Sequence, residues 1–285
     1  MIDRRSMVIA SAALAFAAPA RAHILDAFID LEKKHDGRLG VSALDTQSGG
    51  RMEHRGDERF AMCSTFKLLA TAVLLHRVDK GSETLSRRLT YGKTDLLSYA
   101  PVAKQHIREG QMSLATICEA AIEWSDNSAA NLLLAAVGGP GQVTAYAREL
   151  GDDVTRLDRN EPALNDVVPG DIRDTTSPNA MLRDMQKILL GDALSNASRD
   201  RLTRWLRNSQ TGKERLRAGL PRSWAFGDKT GTGFRGETND IGIAWPKGRA
   251  PILIAAYYAG SKAPQAAGEA VLAEVGRVVA QEFAS

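Results

Sequence analysis

The stretch Phe60–Leu69, FAMCSTFKLL, precedes an apolar run to Val78 in which hydrophobic residues mostly recur at helical spacing. A helix that begins near Cys63 would place Ser64 and Lys67 on one face, one turn into the helix. A serine hydroxyl is a poor nucleophile without a base beside it. A lysine in a dry pocket can serve as that base because burial lowers its pKa. The alternative is structural, with Ser64 as a helix cap and Lys67 in solvent.

The composition restricts the kind of protein that this chain can be. Its 285 residues allow one large domain or two closely packed ones, and 44% hydrophobic with 25% charged residues is typical of a globular protein. Two cysteines are too few for a disulfide scaffold. No basic block indicates nucleic acid binding, and no apolar run after the N-terminal segment could span a bilayer. We therefore expect no nucleic acid or membrane partner. We also expect a monomer.

Residues 1–22 have the pattern of a signal peptide. The pair Arg4-Arg5 precedes an alanine-rich apolar run, and a small-residue cleavage site ends at Ala22. We expect cleavage after Ala22 and export to the periplasm or medium. The adjacent arginines favour twin-arginine export of the folded protein, with Sec export as the alternative. Removing three arginines and one aspartate reduces 37 basic and 34 acidic residues to 34 and 33, a net charge of +1.

Hydrophobic periodicity divides the remaining chain into three blocks. A helix over 24–35 and strands over 39–45 and 51–55 come first, and the long segment after them is mostly helical. Strands then follow over 224–230, 240–245 and 252–258, with a final helix over 265–283. Because open sheet edges are disfavoured, we predict one antiparallel five-stranded sheet built from both chain ends.

The predicted fold class is therefore α+β, a three-layer α/β/α arrangement with an inserted helical domain. The α/β sheet domain is expected over 23–62 and 208–285, and an all-helical domain over 63–207. A cleft between two such domains is the default position for a binding site. Ser64 lies at this boundary.

Two further motifs carry residues that suit nucleophilic catalysis. The S-D-N motif at 125–127 reads as a turn before a helix, in which the serine can carry a proton and the asparagine can bind an amide. Alternatively, its serine or aspartate caps that helix. The K-T-G motif at 229–231 places a cation and small residues on a strand, where an anionic substrate can approach the backbone. A strand that simply ends at glycines would explain the glycines but not Lys229.

The S-x-x-K, S-D-N and K-T-G motifs each occur once and in this order, a combination that resembles class A serine β-lactamases and penicillin-binding proteins. The segment 159–174 contains Glu161 and Asn165 in an E-x-x-L-N signature and resembles the Ω-loop of class A β-lactamases. The resemblance extends over residues 24–285. It implies an ion pair between Arg159 and Asp174 at the ends of the loop. The Glu161–Pro162 bond is a candidate cis peptide.

The resemblance implies hydrolysis of the β-lactam amide bond of penicillins and cephalosporins through a serine acyl-enzyme, which gives antibiotic resistance. In this mechanism Ser64 attacks the lactam carbonyl, and Ser125 relays a proton to the departing nitrogen. Glu161 activates the water that hydrolyses the acyl-enzyme, while the base for acylation is either Lys67 or Glu161. The oxyanion lies between the backbone N–H groups of Ser64 and Thr232.

The same resemblance assigns residues that contact the substrate. Asn127 binds its side-chain amide, Tyr99 forms a wall of the cleft, and Lys229 faces its carboxylate. The implied substrate-binding residues are Tyr99, Asn127, Asn165, Arg215, Lys229, Thr230, Gly231 and Thr232. The expected partners are a small β-lactam and one catalytic water. We expect no cofactor and no metal, because the five histidines form no pair at ligand spacing.

One departure from the family pattern concerns the substrate carboxylate. Thr238 stands where many members place an arginine after K-T-G, whereas Arg215 matches an alternative arginine of other members. We therefore expect Arg215, paired with Glu269, to meet the carboxylate. The alternative is a solvated helix arginine.

A second departure concerns the cysteines. Thr71 stands where family members often place the disulfide partner of Cys118. Gly233 stands where carbapenem-hydrolysing members place the partner of Cys63. We therefore expect both thiols to be free, and this lowers the expectation of carbapenem hydrolysis.

Two other functions share the nucleophile and the K-T-G motif. A D-alanyl-D-alanine peptidase or transpeptidase would form the acyl-enzyme but release it very slowly. A non-enzymatic sensor of β-lactams or peptidoglycan would stay acylated. Glu161 and Asn165 argue against both, because slow release of the acyl group reflects the lack of a water-activating group of the Glu161 type.

Overall fold

The computed structural model describes residues 26–284, so the predicted signal peptide, its arginine pair and the cleavage site lie outside the described residues. The helices are α1 (26–35), α2 (Phe66–Asp79), α3 (Leu114–Glu123), α4 (Asn127–Val137), α5 (Pro140–Glu149), α6 (Pro178–Leu189), α7 (Asn196–Arg207), α8 (Leu216–Gly219) and α9 (Gln265–Phe283). The strands are β1 (Arg38–Asp45), β2 (Arg51–His54), β3 (Phe60–Ala61), β4 (Arg88–Thr90), β5 (Gln111–Ser113), β6 (Thr175–Thr176), β7 (Ala225–Thr232), β8 (Thr238–Trp245) and β9 (Ile252–Ala259). Among these described helices, none is long and apolar enough to cross a membrane.

Both ends of the chain contribute to one antiparallel sheet with the strand order β2-β1-β9-β8-β7. Strand β1 pairs with β9 so that Arg38 lies opposite Ala259, and β7 pairs with β8 so that Thr232 lies opposite Thr238. The predicted five-stranded sheet is confirmed. Strand β7 continues through the whole K-T-G motif because β8 pairs with it over its full length.

Helices cover both faces of the sheet. On one face, α1 and α9 pack Phe28, Val271 and Leu272 against strand residues that include Val41 and Ile254. The other face packs against α6 and α7 and joins the core of the helical segment. The predicted three-layer α+β architecture is therefore confirmed.

Helix α2 lies in the centre of the helical segment. Its first ten residues, 66–75, are all buried, as expected for a helix that is surrounded by protein on every side. The alternative interpretation, in which Lys67 lies in solvent, is therefore wrong.

Short strands interrupt the segment that was predicted to be all-helical. Strands β4 and β5 form a two-stranded ribbon, and β3 pairs with β6, which follows the Ω-loop. Strands of two or three residues are too short to produce a detectable alternation of polar and apolar residues. The division into a sheet domain and an inserted domain stays a prediction.

Candidate active site

Ser64 lies in a single 3-10 turn, Cys63–Thr65, that leads directly into α2. No side chain caps this turn or α2, so the idea that Ser64 caps the helix is wrong. The Ser64 hydroxyl instead donates to Oε1 of Glu161 at 3.3 Å. Thr65, the next residue, donates its hydroxyl to the carbonyl of Met62 at 2.8 Å and stabilises the turn. The turn therefore presents the Ser64 hydroxyl to the Ω-loop.

Lys67 is fully buried behind Ser64. Its Nζ donates to the backbone oxygen of Ser125 at 2.8 Å and to Oδ1 of Asn127 at 2.6 Å, and it lies 3.2 Å from Oε1 of Glu161. Burial lowers the pKa of Lys67, while the negative charge of Glu161 opposes that shift. The lowered pKa makes the neutral amine, the form that can accept a proton from Ser64, more accessible than it is for a lysine in water.

In the S-D-N motif, Asp126 has a structural role, and the residues on either side of it contact Lys67. Asp126 caps α4, since its Oδ1 accepts from the backbone N–H of Ala129 at 2.9 Å. Its Oδ2 also accepts from the backbone N–H groups of Val102 and Ala103. Asp126 therefore fixes the start of α4, and the side chains of Ser125 and Asn127 both accept from the Lys67 amine.

Lys229 approaches the same serine from strand β7. Its Nζ donates to the Ser125 hydroxyl at 2.9 Å and to the Thr230 carbonyl at 2.9 Å. Burial lowers the pKa of Lys229 well below its ordinary value, and the charge of Lys67 adds to this effect. The Ser125 hydroxyl thus lies between two buried lysine amines, at 2.9 Å from one and 3.4 Å from the other.

The Ω-loop supplies Glu161. Its Oε2 accepts from Nδ2 of Asn165 at 2.5 Å. The Arg159–Asp174 ion pair, with 2.5 Å between Nε and Oδ2, joins the ends of the loop. The Glu161–Pro162 bond is cis. The predicted ion pair and the predicted cis bond are both confirmed.

Asn131 is a site residue that the sequence analysis missed. Its side-chain amide accepts from the backbone N–H of Glu161 and donates to the Glu161 carbonyl, each at 2.9 Å. It lies four residues after Asn127 on α4, and therefore one turn further along the same face. This spacing of four residues from Asn127 is the sequence signal that could have indicated Asn131 as a site residue.

Arg215 lies at the opposite side of the site and is only 3% exposed, so the alternative of a solvated arginine is wrong. It donates to Oγ1 of Thr232 at 2.7 Å and to the Gly231 carbonyl at 2.8 Å. Glu269 lies 3.6 Å from Nη2 of Arg215, which confirms the predicted pairing. Arg215 therefore supports the end of β7 and adds a positive charge beside it.

These side chains surround an open cleft of about 410 Å³. Its lining residues are Ser64, Tyr99, Ser125, Asn127, Asn165, Thr211, Arg215, Thr230, Thr232, Gln265 and Glu269. Lys67, Glu161 and Lys229 lie just behind this surface and are 4% exposed or less. Tyr99 is 48% exposed at the edge. The cleft is open to a small molecule, and the ionisable groups behind it are shielded from bulk water.

The cysteines carry no disulfide. Cys63 and Cys118 are both buried and free, as predicted. A Cβ atom added at Gly233 would lie 2.9 Å from the Cys63 sulfur, which places Gly233 against that thiol. Within residues 26–284, no group of three or more histidine, cysteine, aspartate or glutamate residues could hold a metal ion.

A serine hydroxyl beside a buried carboxylate, with a second serine between two buried amines, is the arrangement expected of an active-site-serine hydrolase. The model of the Beta-lactamase enzyme family matches residues 21–283. The chain is 44% identical over 252 residues to β-lactamase OXY-1 of Klebsiella oxytoca, with 88% of this chain and 86% of that protein covered. It is also 44% identical to β-lactamase CTX-M-97 of Escherichia coli, over 89% of this chain and 87% of that protein.

A solved ancestral class A β-lactamase has the same fold. It aligns with a TM-score of 0.89 and 56% sequence identity, over 91% of this chain and all of that one. The chain belongs to the β-lactamase family, class A. It hydrolyses β-lactams and gives antibiotic resistance.

Proposed function

We propose that hydrolysis proceeds through an acyl-enzyme on Ser64 and that Glu161 activates the water that releases it. One observation carries this proposal. Oε1 of Glu161 lies 3.3 Å from the Ser64 hydroxyl and 3.2 Å from the Lys67 amine, while Asn165 holds Oε2 at 2.5 Å. A carboxylate fixed at this distance can hold a water beside the ester that forms on Ser64.

In acylation, the Ser64 oxygen attacks the lactam carbonyl as its proton passes to a base. Lys67 suits this role because burial favours its neutral form. Glu161 is the alternative base, acting through a water. The oxyanion of the tetrahedral intermediate would accept from the backbone N–H groups of Ser64 and Thr232.

Ser125 completes acylation. When the C–N bond of the lactam breaks, the Ser125 hydroxyl gives its proton to the departing nitrogen. Lys67 and Lys229, at 3.4 and 2.9 Å from that hydroxyl, are the groups that can replace the proton.

In deacylation, Glu161 takes a proton from the water as the water attacks the ester carbonyl. The C–O bond to Ser64 then breaks, and the proton returns to the serine oxygen. A penicilloyl or cephalosporoyl acid leaves, and the free enzyme is restored.

The substrate would lie along β7. Lys229, Thr230, Thr232 and Arg215 supply cationic and hydroxyl groups for its carboxylate. Gly231 allows β7 to pack closely against the residues just before Ser64, since an added Cβ would lie 2.7 Å from the Met62 carbonyl oxygen. Asn127 would bind the side-chain amide, and Tyr99 would form a wall. We expect penicillins and cephalosporins as substrates.

We also propose that the working protein is an exported monomer that lacks residues 1–22 and needs no cofactor. Its 23–62 and 208–285 segments would form the sheet domain, and 63–207 the inserted domain. The signal-like composition of the first 22 residues supports the export proposal.

Nitrocefin turnover by Glu161→Ala, with Glu119→Ala as an exposed control, tests the role of Glu161. We expect continuous hydrolysis by the parent and the control. Glu161→Ala should give one fast turnover followed by a stable acyl-enzyme, visible as an added mass in the intact protein. Unchanged steady-state turnover by Glu161→Ala would contradict the proposal.

A further inference from the structure

A second cavity, separate from the cleft, lies between the Ω-loop and the end of the sheet. Its volume is about 290 Å³, and it shares no lining residue with the cleft. We call it the Ω-loop pocket and define it by the loop segment 167–172 on one side and by Arg38, Arg59, Arg235 and Ala259 on the other.

The loop side of the Ω-loop pocket is mainly apolar. Val167, Val168, Pro169 and Ile172 line it. Val168 is 44% exposed and Ile172 is 48% exposed. Apolar surface that faces a cavity favours a ligand with a hydrocarbon part.

The opposite side carries a cation without a counter-ion. Among the described residues, no carboxylate lies within 4 Å of the half-buried Arg59. Its Nη1 donates to two neutral oxygens, the carbonyl of Val154 at 2.7 Å and Oγ1 of Thr175 at 3.0 Å. The guanidinium is therefore fixed in position, and its charge remains available to an anion.

The other charged groups of the Ω-loop pocket already have partners. Arg38 pairs with Glu58 at 2.9 Å, and Arg235 pairs with Asp166 at 2.9 Å. The pocket also contains two carboxylates. Asp171 pairs with Arg173 at 2.8 Å, and Glu237 accepts from the backbone N–H of Arg235 at 2.7 Å. The ion pairs Arg38–Glu58, Arg235–Asp166 and Asp171–Arg173 are each neutral, which leaves Arg59 as the lining arginine that has no carboxylate of residues 26–284 within 4 Å.

We propose that the Ω-loop pocket binds a small amphipathic monocarboxylate, with its carboxylate on Arg59 and its hydrocarbon part against Val167, Val168 and Ile172. A guanidinium fits a carboxylate better than it fits a neutral polar group, because its parallel N–H groups can form two charge-assisted bonds.

The site is adjacent to the catalytic residues but independent of them. Val167 follows Asn165, the residue that holds Glu161, by two positions, yet neither Asn165 nor Ser64 lines the Ω-loop pocket. An occupant would therefore bind together with a β-lactam rather than in competition with it. It would also stabilise the folded protein, since only the folded chain forms the pocket.

Octanoate is the probe, measured by isothermal titration calorimetry on the parent protein, with uncharged octanamide as the matched compound. We expect one saturable site for octanoate and a dissociation constant for octanamide that is at least about tenfold higher, since the charge on Arg59 would be unused. The KM for nitrocefin should not change at saturating octanoate.

Two variants locate the site on the protein. Val168→Glu places a negative charge in the Ω-loop pocket and should weaken octanoate binding by at least about tenfold through like-charge repulsion. Leu190→Glu makes the same kind of change at a residue that is 38% exposed outside the pocket, and it should bind octanoate as the parent does. Nitrocefin turnover and melting temperature of both variants show whether each is folded.

Four results would each overturn the proposal. These are no saturable octanoate binding to the parent, equal affinity for octanamide, unchanged affinity in folded Val168→Glu, and a KM for nitrocefin that rises with octanoate. The last result would place the fatty acid in the cleft. Calorimetry measures octanoate binding directly. The result therefore does not depend on the catalytic roles proposed above for Ser64 and Glu161.

Discussion

At the scale of single residues, the proposed proton transfers involve two buried lysine amines. Lys67 and Lys229 are both completely buried and both have lowered pKa values, with burial as the largest cause. The Ser125 hydroxyl lies between them. A serine between two amines of lowered pKa can pass on a proton without bulk water.

Arg215→Ala tests the proposed carboxylate site. The variant removes the charge beside Thr232, and we expect KM for a β-lactam that bears the carboxylate to rise about tenfold with a smaller change in kcat. Arg222→Ala, at an exposed residue of the same type, is the control. If KM and kcat of Arg215→Ala both equal those of the parent in steady-state assays, Arg215 does not bind the carboxylate.

Asn131→Ala tests the positioning of Glu161. Its amide holds both backbone groups of Glu161, so its removal should let the carboxylate move and should slow deacylation by about tenfold to a hundredfold. Acyl-enzyme would then accumulate during turnover, as seen by rapid quench and mass spectrometry. Asn160→Ala, at the exposed residue directly before Glu161, should behave as the parent. Slower acylation with no accumulation would contradict this role.

At the scale of helices and strands, long elements were predictable and short ones were not. The final helix was predicted over 265–283 and has those bounds, because its periodic pattern is long. Strand β7 extends two residues beyond its prediction, since pairing with β8 rather than its own pattern sets where it ends. The pair β3–β6 joins Phe60 to Thr176, a contact between distant residues that local periodicity cannot reveal.

A buried carboxyl on α6 should make stability depend on pH. Burial, with the nearby charge of Asp152, raises the pKa of Asp184 to about 9. The unfolded chain releases this proton near its ordinary value of 3.8, whereas the folded protein retains it. The unfolded state therefore binds fewer protons between these two values, and the free energy of unfolding falls as pH rises through this window.

Asp184→Asn removes this titration. We expect the melting temperature of the variant, relative to the parent, to increase between about pH 5 and about pH 8. Asp200→Asn, at an exposed position on α7, should show a difference from the parent that does not change with pH. Differential scanning calorimetry at about pH 5 and about pH 8 measures the melting temperatures of the parent and both variants. A relative melting temperature of Asp184→Asn that stays constant or falls would show that Asp184 is ionised in the folded protein.

At the scale of the whole molecule, the motifs indicate the candidate catalytic side chains, but only the fold brings them together. Ser125 and Lys229 are 104 residues apart, and Ser64 and Glu161 are 97 residues apart. The sequence predicted the five-stranded sheet and the helical layers on its two faces, because these follow from the order of the elements. It did not predict Asn131 or the burial of Arg215, since both depend on how side chains pack across the cleft.

The most direct test of the catalytic proposal is the location of the acyl group. Glu161→Ala protein is incubated with benzylpenicillin, digested, and mapped by tandem mass spectrometry. We predict a penicilloyl adduct on Ser64, and no adduct when Ser64→Ala is added to the same protein. An adduct on Ser125 or another residue, or β-lactam hydrolysis that persists in Ser64→Ala protein, would contradict the assignment of Ser64 as the nucleophile.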